Sequence, residues 1–177
     1  NLCNFKHIMP IPSSEKLEKY YRDEFVESKS MYVDKIIEDL AWWNLNFDEK
    51  YDILEQNLEL DKRSLLDIGC GFGYFLKRGK QRGWNVSGID PSKSAIEHAK
   101  SLGVDAECGL IDKNSFQEKQ FNVIHMHEVI EHLPDPKKSL TIIHNILKNN
   151  GLLCISSPND YNPLQLISKH KSNVTPW

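Results

Sequence analysis

The sequence predicts an α/β fold: a doubly wound, mostly parallel sheet preceded by an all-helical appendage. Three observations carry this. From residue 64 onward, short apolar strand-like runs alternate with amphipathic helical stretches across short connections, the pattern of a parallel sheet with helices on both faces. The first run leads straight into a glycine-rich turn, Gly69-Cys70-Gly71-Phe72-Gly73. The first third of the chain instead holds apolar and aromatic residues at helical spacing.

Residues 1–12 carry two prolines and read as extended. Ser13 or Ser14 caps a first helix running to about Glu27, with Glu15 and Glu18 in its first turn. A second helix, 29–44, brings Tyr32, Ile36, Ile37 and Leu40 near one face and has Trp42 and Trp43 at its end. A third, 48–58, carries Tyr51, Leu54 and Leu58 at spacings of three and four. Residues 1–60 thus form a helical cap whose aromatic residues need a surface to cover, and 61–177 form the core domain.

Strands are expected at 64–68, 85–89, 104–108, 121–126 and 151–156. Helices are expected at 74–82, at 92–102 with Ser92 as cap, and over a short stretch 128–133 stopped by Pro134. Two more are expected at 135–148, with Leu140, Ile143 and Leu147 inward, and at 164–169. The five strands should lie in the order 3-2-1-4-5, all parallel.

Composition bounds the function. The 177 residues suffice for one domain with a sizeable core, and 40% hydrophobic with 27% charged residues is ordinary for a soluble protein. A net charge of -3 gives no reason to expect nucleic acid or a membrane surface as a general partner. The one dense basic run, Lys77 to Arg82, reads as a solvated helix end. No apolar run approaches the roughly 20 residues that span a bilayer, and residues 1–14 lack the apolar middle of a signal peptide. Cys3, Cys70, Cys108 and Cys154 form no CxxC pair, which points to a reducing, cytoplasmic setting. Cys3, in a polar stretch, is the one cysteine that a trimmed metal-binding cluster would leave behind.

Leu65-Leu66-Asp67-Ile68-Gly69-Cys70-Gly71-Phe72-Gly73 is the most informative stretch. A buried strand feeding a glycine turn and a helix lets the main chain approach a ligand and aims helix N-terminal amides at it. Asp90, in Gly88-Ile89-Asp90-Pro91-Ser92, ends the next strand, where a carboxylate can accept both hydroxyls of a ribose. Two features argue against a dinucleotide. The turn is GxGxG rather than GxGxxG, and Asp67 places a carboxylate just before the glycines, where it would repel a pyrophosphate. An amino-acid-bearing cofactor with an ammonium and a sulfonium tolerates that charge.

In order, LLDIGCGFG, GIDPS, FNVIHMHEVIEHL and LKNNGLLCISSPN resemble the successive motifs of class I methyltransferases that use S-adenosylmethionine (SAM), over about residues 64–158. The nearest resemblance is to the group of ubiquinone-biosynthesis O-methyltransferases and sugar or small-molecule methyltransferases. It implies a Rossmann-like core with the loop Gly69 to Gly73, Cys70 and Gly71 included, around the methionine part of SAM and Asp67 near its amino group. It implies Asp90, followed by Pro91, at the ribose, and Cys108, Gly109 and Leu110 beside the adenine. Met126 and His127 would face the methyl-transfer site. The resemblance also implies seven strands, and the last two have no sequence here, so the chain reads as truncated at its C-terminus. The alternatives are an NAD-type oxidoreductase and a non-catalytic SAM-binding module.

Glu128, Glu131 and His132 are spaced i, i+3 and i+4 and would share one face of a helix. Two carboxylates and an imidazole so placed can hold magnesium or manganese, and EVIEHL resembles a motif of a metal-dependent RNA 2′-O-methyltransferase group and of some ubiquinone-pathway enzymes. Against that, each residue has an ordinary structural role at a helix end, and no further ligand is evident, so the primary expectation is no metal. His132 alone is the candidate general base, its ordinary pKa of about 6.5 suiting neutral pH. Tyr20 or Tyr21 is expected to close over the cleft as part of a lid, while Trp42 and Trp43 glue the cap to the sheet. Aromatic lining without net positive charge favours a small-molecule acceptor, a sugar or phenol hydroxyl or a carbon, over nucleic acid.

Overall fold

A computed structural model describes residues 13–21, 30–59, 61–116 and 121–158. Cys3, the extended stretch 1–12, the continuation of the first helix to Glu27 and the helix expected at 164–169 lie outside the described residues. Three helices, α1 (Ser14–Lys19), α2 (Ser30–Glu38) and α3 (Leu40–Gln56), precede the sheet. Its strands are β1 (Ser64–Ile68), β2 (Asn85–Asp90), β3 (Asp105–Cys108), β4 (Phe121–His127) and β5 (Leu147–Ser156). Between them run α4 (Tyr74–Gln81), α5 (Lys93–Ser101) and α6 (Pro136–Ile146). The sheet order is β3-β2-β1-β4-β5 with every pairing parallel, as expected from the β/α alternation.

The apolar side chains of β1 and β4 alternate between two layers because successive residues of a strand face opposite ways. Leu65 and Val123 pack with Tyr51, Leu54, Phe75, Leu76 and Ile96 of α3, α4 and α5. Leu66, Ile68, Ile124 and Met126 pack on the other face with Ile143 and Ile146 of α6. Helices therefore switch faces between β1 and β4, and open α/β sheets hold ligands at the carboxyl ends of the strands flanking such a switch.

Three boundaries differ from expectation. The second and third expected helices redistribute: the chain breaks at Asp39 and then runs unbroken through 44–48 as α3. No glycine or proline interrupts that segment, and burial of Tyr51 and Leu54 against α4 favours one long helix. At the other end, Leu147 joins β5 instead of closing α6. Phe121 pairs with Leu147 and Val123 with Leu152, so the intervening residues bulge out through Asn150 in the left-handed region (φ 62°). Third, 128–133 is not an α-helix, as described below.

The basic run is also less solvated than expected. Arg78 bonds both carboxylate oxygens of Asp48, and Arg82 reaches Asp48, Asp52 and Glu55. Trp84 Nε1 donates to Glu55 as well. This network ties α4 and the β2 entry to α3, and with Tyr51 stacked on Phe75 (centroids 4.6 Å, 17°) it fixes the helical cap onto the core.

Candidate active site

The turn after β1 is built by backbone geometry that only glycine adopts at low cost. Gly69 has φ 75° and Gly73 φ 80°. A Cβ on Gly69 would collide with Val129 Cγ2, and one on Gly73 would lie 2.7 Å from Ala99 Cβ. Gly69 N–H and Cys70 N–H both donate to the carbonyl of Ile89 (2.8 and 3.3 Å), which hangs the turn on β2. His98 of α5 braces it from behind, Nδ1 lying 3.1 Å from the Phe72 carbonyl. Asp90 clamps the turn in place. Its Oδ2 accepts from Gly71 N–H (3.0 Å) and its Oδ1 from Ser92 N–H (2.8 Å). Burial pushes the Asp90 carboxyl above the usual aspartate range, against the pull of those two donors.

A cleft of about 850 Å³ opens over the carboxyl ends of the strands. Strand order sets what lies where along it. Gly109, Leu110 and Asp90 belong to the β3–β2 side, the glycine turn and Asp67 lie centrally, and His127 belongs to β4. Asp67 is buried, and its Oδ1 lies 2.7 Å from Nδ1 of His125, its direct register partner on β4. His125 is 2% exposed and its ring stacks on Phe75 (4.2 Å, 29°). Its Nε2 faces no hydrogen-bond partner among the described residues. His127 lines the cleft with Nδ1 2.5 Å from Ser156 Oγ of β5, its register partner. The cap supplies the facing wall through Tyr21, Trp43, Phe47 and Lys50.

A family model described as a methyltransferase domain matches residues 42–172. This chain belongs to the methyltransferase domain family. Ubiquinone biosynthesis O-methyltransferases from Coxiella burnetii and Histophilus somni are 30% and 31% identical to it over 138 and 140 residues, covering 68% and 67% of the chain. The chain spans 59% of the length of each of these relatives. Among solved structures, the plantazolicin methyltransferase BpumL in complex with SAH matches with a TM-score of 0.62 at 21% identity, covering 90% of this chain and 62% of that one. An S-adenosylmethionine-dependent methyltransferase from Clostridium acetobutylicum gives 0.57 at 20% identity over 80% and 61%. At such identities the structural matches speak for the fold, which they share with the methyltransferase domain.

Most of the residues singled out from sequence meet in this cleft: Asp67, Gly69, Cys70, Gly71, Gly73, Asp90, Pro91, Gly109, Leu110, His127 and His132 all line it. Met126 and Cys108 do not. Met126 is fully buried in the layer under α6, because the strand alternation that brings His127 to the cleft turns its neighbour away. Cys108 is exposed, its thiol near the Pro91 carbonyl. Cys70 is a buried, unreactive thiol whose pKa burial pushes far up.

The shared helix face expected for Glu128, Glu131 and His132 is absent. Only Ile130–His132 forms a single 3-10 turn, and Glu128 stands before it in the left-handed region (φ 54°), its N–H bonded to the Ser156 carbonyl. Glu131 does not line the cleft, and the described residues contain no group of three or more His, Cys, Asp or Glu able to hold a metal ion. The helical premise of the metal alternative fails because Glu128 stays with the strand pairing, its N–H bonded to the Ser156 carbonyl, and turns through the left-handed region, outside the 3-10 turn that holds Glu131 and His132.

Of the cap residues, Tyr21 lines the cleft and meets the His132 ring edge-on (5.9 Å, 67°), while Tyr20 packs on Tyr21 and is 43% exposed. Trp43, expected only as glue, also lines the cleft and stacks on Phe47, whereas Trp42 is 56% exposed and packs edge-on against Trp43. Sequence reasoning missed His125, Lys50, Phe47 and Phe75. The period-two pattern of FNVIHMH carries the signal for His125: it shares a strand face with His127. Lys50 sits one residue before the buried Tyr51 and had no comparable mark.

Proposed function

We propose that this methyltransferase domain binds SAM along the cleft and transfers its methyl group to a small-molecule acceptor, a phenol or sugar hydroxyl or a carbon. One observation carries the reading. Two carboxylates, Asp67 and Asp90, flank the glycine turn in a cleft whose facing wall is aromatic. That pair of acceptors suits a cationic amino acid joined to a nucleoside, and Asp67 beside the glycines opposes a pyrophosphate. The lone pairs of Asp90 left over from Gly71 and Ser92 can accept ribose hydroxyls. Asp67 takes the ammonium end, and Gly109 with Leu110 flanks the base. When bound, SAM supplies an electrophilic methyl on a positive sulfonium. The chain's part is to position the acceptor and exclude water, which alone accounts for much of such a reaction's acceleration.

The names of the curated relatives support a hydroxyl acceptor, and Tyr21, Trp43 and Phe47 favour a planar one. Among the described residues no helix is long and apolar enough to cross a membrane, which agrees with a cytoplasmic enzyme acting on a diffusible acceptor. Transfer of a labelled methyl from SAM to a panel of phenols and sugars, with stoichiometric release of S-adenosylhomocysteine (SAH), tests the proposal. SAH binding with no transfer to any acceptor would instead favour the non-catalytic module.

A further inference from the structure

We propose that His127 accepts the proton of the acceptor hydroxyl, with Ser156 fixing its tautomer and Lys50 holding the oxyanion that forms. The inference rests on the methyltransferase reading and assigns the base to His127 instead of His132. His127 ends β4 inside the cleft, and the register of β4 with β5 sets it directly across from Ser156. Nδ1 lies 2.5 Å from Ser156 Oγ, a hydroxyl that can accept from the ring or donate to it; in the form that acts as a base, Nδ1–H donates to Oγ and Nε2 carries the free lone pair. The ring of His125, two residues back on the same strand face, lies nearly parallel to that of His127 (6.4 Å, 25°). His132, exposed as His127 also is, stands on the 3-10 turn with the Tyr21 ring edge-on to it, and among the described residues its ring nitrogens make no hydrogen bond.

Charge favours the same assignment. Lys50 of α3 reaches into the cleft, 6.0 Å from the centre of the Phe75 ring, and pairs with no carboxylate among the described residues. Other titratable groups near His127 are Asp67 on β1, Cys154 on β5, His125 on its own strand and Glu128 just past the end of that strand. Burial and the Lys50 ammonium push the His127 pKa down, and the two carboxylates offset this only in part. Cys154 is neutral, its thiol pushed up by burial. His127 is therefore unprotonated at neutral pH and ready to act as a base.

The step balances. The acceptor O–H bond breaks and its proton goes to His127 Nε2, while the oxygen forms the bond to the methyl carbon. The electron pair of the broken S–C bond stays on sulfur, leaving a neutral thioether. The sulfonium's positive charge thus ends on the imidazolium, which returns its proton to water.

Two readouts test this without turnover. Histidine ¹⁵N NMR of the SAH-bound protein should show His127 in the Nδ1–H tautomer with a pKa below the ordinary value, rising in Lys50→Met and losing tautomer preference in Ser156→Ala. 4-Nitrocatechol, whose absorbance reports its own ionisation, should bind the SAH complex as the anion at a pH where it is neutral in water. Lys50→Met and His127→Gln should abolish that shift, with SAH affinity retained as the control for folding. Turnover of a phenolic acceptor should fall about 100-fold or more in His127→Gln. An Nε2–H tautomer, failure of the wild type to bind or ionise the probe, or full turnover in His127→Gln with loss in His132→Gln would overturn the assignment. If wild-type protein does not bind SAH, the methyltransferase reading itself falls; if it binds SAH and these variants change nothing, only the His127 assignment falls.

Discussion

Replacing Asp90 by alanine should cost both affinity and stability, by amounts that follow from its contacts. The carboxylate accepts from Gly71 N–H at 3.0 Å and Ser92 N–H at 2.8 Å and retains lone pairs for ligand hydroxyls. A hydrogen bond to a charged group contributes about 1.5–3 kcal/mol, so losing the ribose contact should weaken SAH binding by roughly 10- to 150-fold. Leaving the Gly71 N–H without its partner should cost a further ~1–3 kcal/mol of folding stability. Asp90→Asn keeps the shape and removes the charge, so it should lose affinity while losing less stability than alanine. Calorimetric titration with SAH and thermal melts by circular dichroism measure the two effects separately. Because burial raises the Asp90 pKa, affinity should also decline with falling pH earlier than an ordinary aspartate would cause, since only the ionised form accepts both hydroxyls. An unchanged dissociation constant in Asp90→Ala would refute the ribose assignment.

Gly79→Ala should destabilise the protein by about 1–2 kcal/mol. A Cβ there would lie 2.5 Å from Tyr51 Cζ, whose ring is held by Phe75 stacking and by its hydroxyl donating to the Phe75 carbonyl, and the overpacking cost outweighs the helix-propensity gain. A melting temperature equal to wild type would show that α3 can retreat freely from α4. Arg78 and Arg82 hold the Asp48 carboxyl at about 2. Its folded pKa lies below the unfolded value of about 3.9, so its contribution is full above that value and disappears as pH falls toward 2. Urea unfolding between pH 5 and 2 should therefore be less acid-sensitive in Asp48→Asn, and identical acid slopes would remove the network from the stability account. Tyr21→Ala opens the wall of the cleft that packs on His132. It should raise the acceptor KM more than the SAH dissociation constant, and the opposite ranking would place Tyr21 over the cofactor.

The sheet was legible because its elements are short and sharply bounded. Gly69, Gly71 and Gly73 mark the first turn, Ser92 the next helix, and the apolar runs leave little freedom of register. Most of the residues that line the cleft followed from the same strand ends. Legibility failed where tertiary contacts decide local structure. Asn46 and Phe47 do not break a helix, and whether α3 runs through them depended on the surface α4 offers. Glu128 to His132 has helical spacing but lies at a strand exit, where Glu128 bonds the Ser156 carbonyl and takes a left-handed backbone, so it does not share a helix with Glu131 and His132. Met126 failed for the related reason that adjacent strand residues cannot share a face. Trp43 and Lys50 could not be read as cleft residues because they arrive from a helix whose docking angle no sequence pattern encodes.

Titration of the purified protein with SAH and, separately, with NAD in an isothermal calorimeter tests the central claim most directly. Asp67 beside the glycine turn should admit the cationic amino-acid nucleoside and reject the dinucleotide pyrophosphate, so SAH should bind with one site per chain and NAD should give no heat. Binding of NAD without binding of SAH would contradict the assignment and make the cleft that of an oxidoreductase.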